Sequence, residues 1–148
     1  MHYLLKQFWK WLPVSYEEYA TNGIAQLHGS YEDNFPFFSK LISYAELIIK
    51  KEFVDDEHIN DLLTIMGIDN ETEYVLDLIE SDSSDYQIQH ISSFGITHSL
   101  YNARWQLAEL ICRRKPLGYD SYLQILSKDT HPYVQKRAIN CIERINNK

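Results

Sequence analysis

Slid against itself by 31 residues, the chain lays two successive apolar patterns on two others. Ile88, Ile91 and Phe94 fall on Tyr119, Tyr122 and Ile125, while Ala103, Leu107, Leu110 and Ile111 fall on Val134, Ala138, Cys141 and Ile142. Within each segment the apolar residues recur at three- and four-residue steps, the spacing of one face of an α-helix. Because a single offset aligns two helices at once, the repeated unit is a pair of helices. A backward shift of 29 lays Ile59, Leu62, Leu63 and Ile65 under Ile88, Ile91, Ser92 and Phe94. The pattern predicts one domain over residues 1–148, with about three stacked helix pairs in 54–148 and a helical cap in 1–53 closing an apolar end.

Helical period extends beyond the repeat. "FPFFSKLISYAELIIKKEF" places Pro36 in an expected first turn, then Phe38, Leu41, Ile42, Ala45, Ile48 and Ile49 on one face. "DDEHINDLLTIMG" begins with acids, which suit the positive end of a helix dipole, and puts Gly67 at the expected C-terminal end. In "MHYLLKQFWKWLPVS", Lys6, Gln7 and Lys10 break the apolar run and no small-residue cleavage site follows, which argues against a signal peptide. Leu5, Phe8, Trp9 and Leu12 share a face expected to cover the core rather than lie on a membrane. No run approaches the roughly eighteen apolar residues of a membrane span, so the expected location is cytoplasmic. Scarce Gly and Pro, five and four respectively, disfavour a chain of tight β-turns. The expected class is all-α.

The stretch "LSKDTHPYVQKRAINCIERI" carries a family likeness. Its Asp-x-x-Pro-x-Val run (Asp129, Pro132, Val134), followed by Ala138 and Cys141–Ile142, resembles the second helix of a HEAT repeat, particularly the short bacterial HEAT-like kind. "YNARWQLAELI" is similar, with Arg104 where that family often carries an arginine; in the last repeat that position is Gln135, followed by Lys136 and Arg137. The likeness covers roughly residues 86–146, is weaker over 57–82, and does not extend to the N-terminal third. It implies a short, curved α-solenoid with a binding surface and implies no activity.

Charge is segregated along the chain. Residues 52–103 hold twelve acids and no lysine or arginine, whereas residues 104–148 hold nine bases and four acids. In the acidic part, Glu73, Asp77 and Glu80 recur at helical spacing, where like charges repel by a few tenths of a kcal/mol per pair. They are expected to point outward, opposite Val75, Leu78 and Ile79. Glu57 and Asp61, four residues apart on the preceding helix, extend the same sign. These five acids are the candidate binding residues, and their sign selects a protein with a basic surface. The bases of the last third are expected to pair with acids of neighbouring helices rather than to bind nucleic acid.

No sequence pattern supports catalysis or a cofactor. Counting from Asp69, Glu71, Glu73 and Glu80 keep an EF-hand rhythm, but Tyr74 occupies the position where that loop turns on glycine. The six histidines make no HExxH or comparable metal-ligand spacing, and GxSxG, P-loop, dinucleotide and CxxC motifs are missing. Cys112 and Cys141 are expected as two buried thiols in a reducing compartment, with a disulfide or redox pair as the alternative. The expected function is therefore a non-enzymatic protein-binding module. Its sharpest form is an immunity protein of the contact-dependent inhibition type, neutralising a cognate basic toxin such as a nuclease. A HEAT-like scaffold or adaptor is the alternative. A base-excising HEAT-like enzyme is more distant, because its phosphate track must be cationic.

Overall fold

The computed structural model describes residues 1–24, 31–51 and 54–147, and shows no strand among them. In chain order the helices are α1 (Tyr3–Trp11), α2 (Tyr16–Asn22), α3 (Phe38–Ile49), α4 (Asp56–Ile68), α5 (Tyr74–Asp82), α6 (Asp85–Gly95), α7 (Tyr101–Arg114), α8 (Tyr119–Leu126) and α9 (Pro132–Asn146). A 3-10 turn, Tyr31–Asn34, precedes α3. The molecule is all-α, as helical periodicity predicts. Neither α2 nor the 3-10 turn is announced by that periodicity, and Pro36 lies ahead of α3 rather than within its first turn. The boundary expected at residue 53 and His28 lie outside the described residues.

Two helices form the centre. α4 is buried continuously from Asp61 to Ile68, and α7 is buried at almost every position from Asn102 to Ile111. A helix covered all round is a core helix, and its polar residues must find partners there. Gln106 of α7 donates to the Met66 carbonyl at 2.7 Å, and Asn70 donates to the carbonyls of Gly67 and Ile68 at 3.2 and 3.1 Å. Those are carbonyls that the end of α4 leaves without helical partners. The C-terminus of α4 is thus closed by side chains, and Gly67 is not its cap. Gly67 sits inside the helix for another reason: a Cβ there would lie 3.1 Å from a Leu100 methyl and 3.2 Å from the Ala103 backbone nitrogen. Its bare Cα lets α4 and α7 approach closely.

α7 and α9 run side by side in the same direction. Near their N-terminal ends Arg104 makes a two-pronged ion pair with Asp129 at 2.8 and 3.0 Å, and it also donates to the His98 carbonyl at 2.7 Å. Near their C-terminal ends Cys112 and Cys141 are joined as a disulfide, with Cα atoms 5.8 Å apart. The expectation of two separate buried thiols is corrected here. The cysteines are 29 residues apart, two fewer than the repeat offset, and they meet only because α7 and α9 lie parallel and in contact, which periodicity alone does not reveal.

The same offset is reflected in burial. Ala103, Leu107 and Leu110 are fully buried, and so are Val134, Ala138 and Cys141. The preceding helices follow it less well: Phe94 is half-buried, but Ile125 is 51% exposed and Leu123 and Leu126 are buried in its place. At the N-terminus Leu4, Leu5, Phe8 and Leu12 are buried. Phe8 packs among Trp9, Trp11, Tyr19 and Phe35 with ring centroids 5.1–6.1 Å apart. α1 packs on α3, and α2 reaches α7.

Candidate functional site: the acidic face of α5 and its arginine underlay

Residues 69–73 set the position of α5. Asp69 is buried and accepts from Thr72 Oγ1 at 2.5 Å and from the Val75 amide at 2.9 Å, so it caps the helix from six residues upstream. Burial holds its carboxyl above the ordinary range, against the pull of those hydrogen bonds. Glu73 occupies the N-cap position in the left-handed region, φ 55°, and makes no capping bond with its side chain. The helix then buries Val75, Leu76 and Ile79 and turns Asp77 outward. Leu78, expected on the buried face, is only partly covered, and Leu76 takes its place.

The outward acids are not left to repel one another. Arg113, in the last turn of α7, reaches across and donates through Nη1 to Asp77 Oδ1 at 3.1 Å and to Glu80 Oε2 at 2.7 Å. Its Nε points back to Glu109 Oε1 at 3.3 Å. Partial burial works against the charged guanidinium, but its hydrogen bonds to Glu80 and Asp77 outweigh this and strengthen its hold on the proton. Glu109 in turn accepts from Arg144 Nη2 at 2.6 Å and lies 3.7 Å from Arg137. Burial would raise the Glu109 carboxyl, yet the Arg144 hydrogen bonds and the charges of Arg113 and Arg137 hold it below its usual value. Glu73 is raised by burial despite attraction to Arg137 and Arg113.

Beyond Glu109 the face becomes aromatic. The Arg137 guanidinium lies 4.6 Å over the Trp105 ring, and its Nη1 donates to the Tyr133 hydroxyl at 3.0 Å. On the opposite side α5 meets α3: Tyr74, 46% exposed, donates to Glu46 at 2.9 Å, and the neighbouring Leu47 is 60% exposed. Tyr74 thus stands beside carboxylates. Arg114 ties the end of α5 to the start of α6, donating to the Glu80 and Ser83 carbonyls at 2.7 and 3.0 Å and to Asp85 at 2.8 Å.

Of the five candidate acids, three belong to this face. Asp77 and Glu80 converge on Arg113, and Glu73 is coupled electrostatically to Arg113 and Arg137. The other two, on α4, are engaged with the N-terminal residues. Glu57 pairs with the Met1 amino group at 2.7 Å. Asp61 is 2% exposed and accepts from the Tyr44 hydroxyl at 3.0 Å and the His2 amide at 3.3 Å, so it does not extend the exposed acidic face. α4 emerges from the core only in its first turn, and one turn after Glu57 it is already covered by Tyr44 and His2.

The five arginines of the last third pair with acids of neighbouring segments, as charge segregation predicts, whereas Lys115, Lys128 and Lys136 form no ion pair among the described residues. Glu109 as the hub of that pairing was not anticipated. Two signals pointed to it: Glu109 and Arg113 are four residues apart on one helix, and the 31-residue offset maps Arg113 onto Arg144. Among the described residues no group of three or more His, Cys, Asp and Glu comes together to hold a metal ion, and no helix is long and apolar enough to cross a membrane.

No protein-family model, no curated protein and no solved structure matches this chain.

Proposed function

We propose that this chain is a non-catalytic protein-binding module of the short HEAT-like kind, and that the α5 face docks a cationic protein. In its sharpest form it is a cytoplasmic immunity protein that neutralises a basic toxin, such as a nuclease. The parallel run of α7 and α9, and the matched burial of Ala103 with Val134 and Leu107 with Ala138, support the reading of stacked helix pairs.

One observation carries the docking proposal. Asp77 remains 66% exposed after Arg113 has bound it, and it stands on the same helix as exposed Tyr74 and Asp82. An aromatic anchor ringed by carboxylates offers apolar contact area at its centre and long-range attraction around it. Arg113 holds Asp77 and Glu80 from below, so the acids meet a partner already ordered.

The test uses the protein encoded by the gene immediately upstream, co-expressed with this chain. Survival of cells that otherwise stop growing, together with a purified 1:1 complex, supports the immunity reading. A complex without protection favours the scaffold reading, and neither complex nor protection rejects both. Asp82→Lys with Tyr74→Ala spares the Arg113 ion pairs and should slow association by about tenfold at low salt. An unchanged association rate would remove the α5 face from the interface.

A further inference from the structure

Cys141 is fully buried, whereas Cys112 is half-buried and opens onto a cleft of about 470 Å³ at the C-terminal ends of α7 and α9. Arg113, Lys115 and Arg144 line that cleft with Ile145 and Asn147, and among the described residues no carboxylate belongs to its wall. Arg144 Nη2 donates to Cys112 Sγ at 3.2 Å. Charges reach the sulfur from each helix around it. α7 contributes Glu109 and Arg113, with Lys115 just beyond its end. α9 contributes Arg137 and Arg144, while Asp77 and Glu80 of α5 are engaged by Arg113. Glu109 is shared among three guanidinium groups, so positive charge prevails on the cleft side. The C-terminal dipole of α7 opposes a thiolate, but a guanidinium in direct contact is the stronger influence.

A thiol beside cations and open to small molecules, with a second thiol within bonding reach, has the parts of an oxidant-responsive pair. We propose that Cys112 and Cys141 form a reversible redox pair, in which Cys112 is the site of attack by hydroperoxides and Cys141 is the resolving thiol. In the reduced protein the Cys112 thiolate displaces one oxygen of the peroxide. An S–O bond forms, the O–O bond breaks, and the far oxygen leaves as hydroxide from hydrogen peroxide or as alkoxide from an alkyl hydroperoxide, giving a sulfenic acid on Cys112. The Cys141 thiol then attacks that sulfur; the S–S bond forms, the S–O bond breaks, and water departs. Two electrons have passed from the two thiols to the peroxide. Two molecules of a small thiol such as glutathione reverse the change. The first attacks Cys112, the sulfur that faces the cleft, and frees Cys141; the second releases Cys112 and leaves as glutathione disulfide.

The experiment reads each sulfur separately by peptide mass spectrometry. After reduction and removal of the reductant, alkylation of Cys112 by iodoacetamide should follow a pH midpoint at least one unit below the value of about 8.5 for a free thiol. Arg144→Gln should move that midpoint upward and slow alkylation at pH 7 about threefold or more. One equivalent of hydrogen peroxide should restore the disulfide in the wild-type protein. Cys141→Ala should instead accumulate a dimedone-trapped sulfenic acid on Cys112, and Cys112→Ser should give no adduct. The wild-type alkylation and peroxide measurements stand alone should either cysteine variant fail to fold. An ordinary midpoint insensitive to Arg144→Gln, no disulfide after peroxide, or a disulfide that glutathione opens only in the unfolded chain would each overturn the proposal.

Discussion

Glu109 and Arg113 stand four residues apart on α7, and each is bound from a neighbouring helix as well as from its own. Removing the Glu109 charge leaves Arg113 with the α5 acids but takes the carboxylate from Arg144 and Arg137. Glu109→Gln keeps the shape and should cost about 2 kcal/mol, less than for a fully buried pair because the arginines are partly solvated. Arg113→Gln should cost about 1 kcal/mol, since Asp77 returns to water and Glu109 retains Arg144. Urea melts at low and high salt measure both, and the difference should shrink with salt.

His98 makes the stability of the fold depend on pH. The Leu100 amide donates to its Nδ1 at 3.1 Å, leaving Nε2–H to donate to Thr64 Oγ1 at 3.1 Å, so the neutral ring is satisfied and burial lowers its pKa to about 4. The unfolded chain takes up this proton near pH 6.5, so between about 6.5 and 4 the unfolded state holds more protons and stability is lost as pH drops, by up to roughly 3 kcal/mol. Glu32 has the opposite sign: burial raises its carboxyl, so its contribution is full below the unfolded value and is lost as pH rises through the folded one. His98→Gln should flatten the acid decline, and Glu32→Gln should steepen it while raising stability near neutral pH. Denaturant midpoints measured from pH 4 to 7 test both.

At the scale of elements, two helical glycines set how closely helices pack. A Cβ on Gly67 would meet a Leu100 methyl at 3.1 Å and the Ala103 backbone nitrogen at 3.2 Å, whereas one on Gly95 would meet Leu107 Cδ2 at 2.8 Å and Leu63 methyls at 3.1 and 3.3 Å. The contact at Gly95 is shorter, but its neighbours are all ends of flexible side chains. At Gly67 the backbone of α7 must shift. Alanine in place of glycine gains helix propensity of about 1 kcal/mol at either site. Gly67→Ala should still be destabilising by about 1 kcal/mol and Gly95→Ala close to neutral, an order that thermal melts of the two variants decide. The disulfide acts between elements as well. It closes a loop of 29 residues from α7 through α8 to α9, so its reduction should lower stability by about 3 kcal/mol without unfolding α1 to α6. Denaturant titration with and without reductant measures the difference.

At the scale of the whole molecule, an acidic middle and a basic end are folded against each other. Arg104, Arg113, Arg114 and Arg144 are each committed to a carboxylate, and Asp77 stays 66% exposed although Arg113 binds it. By itself the sequence determined that the chain is helical, where most helices lie, and which residues of α7 and α9 correspond. Those properties depend on steps of three and four residues along a single strand of backbone, and on one offset repeated along it. It determined the sign of the exposed charge for the same reason, since no base occurs within residues 52–103 to cancel the acids locally. Only the tertiary structure decided the partners. Asp77 meets Arg113 across 36 residues and His2 meets Asp61 across 59, and Cys112 meets Cys141 only because two parallel helices touch there. Buried and solvated acids look alike in a helical period; what separates Asp61 from Asp77 is which other helix lies over each, and that is fixed by packing distant segments together.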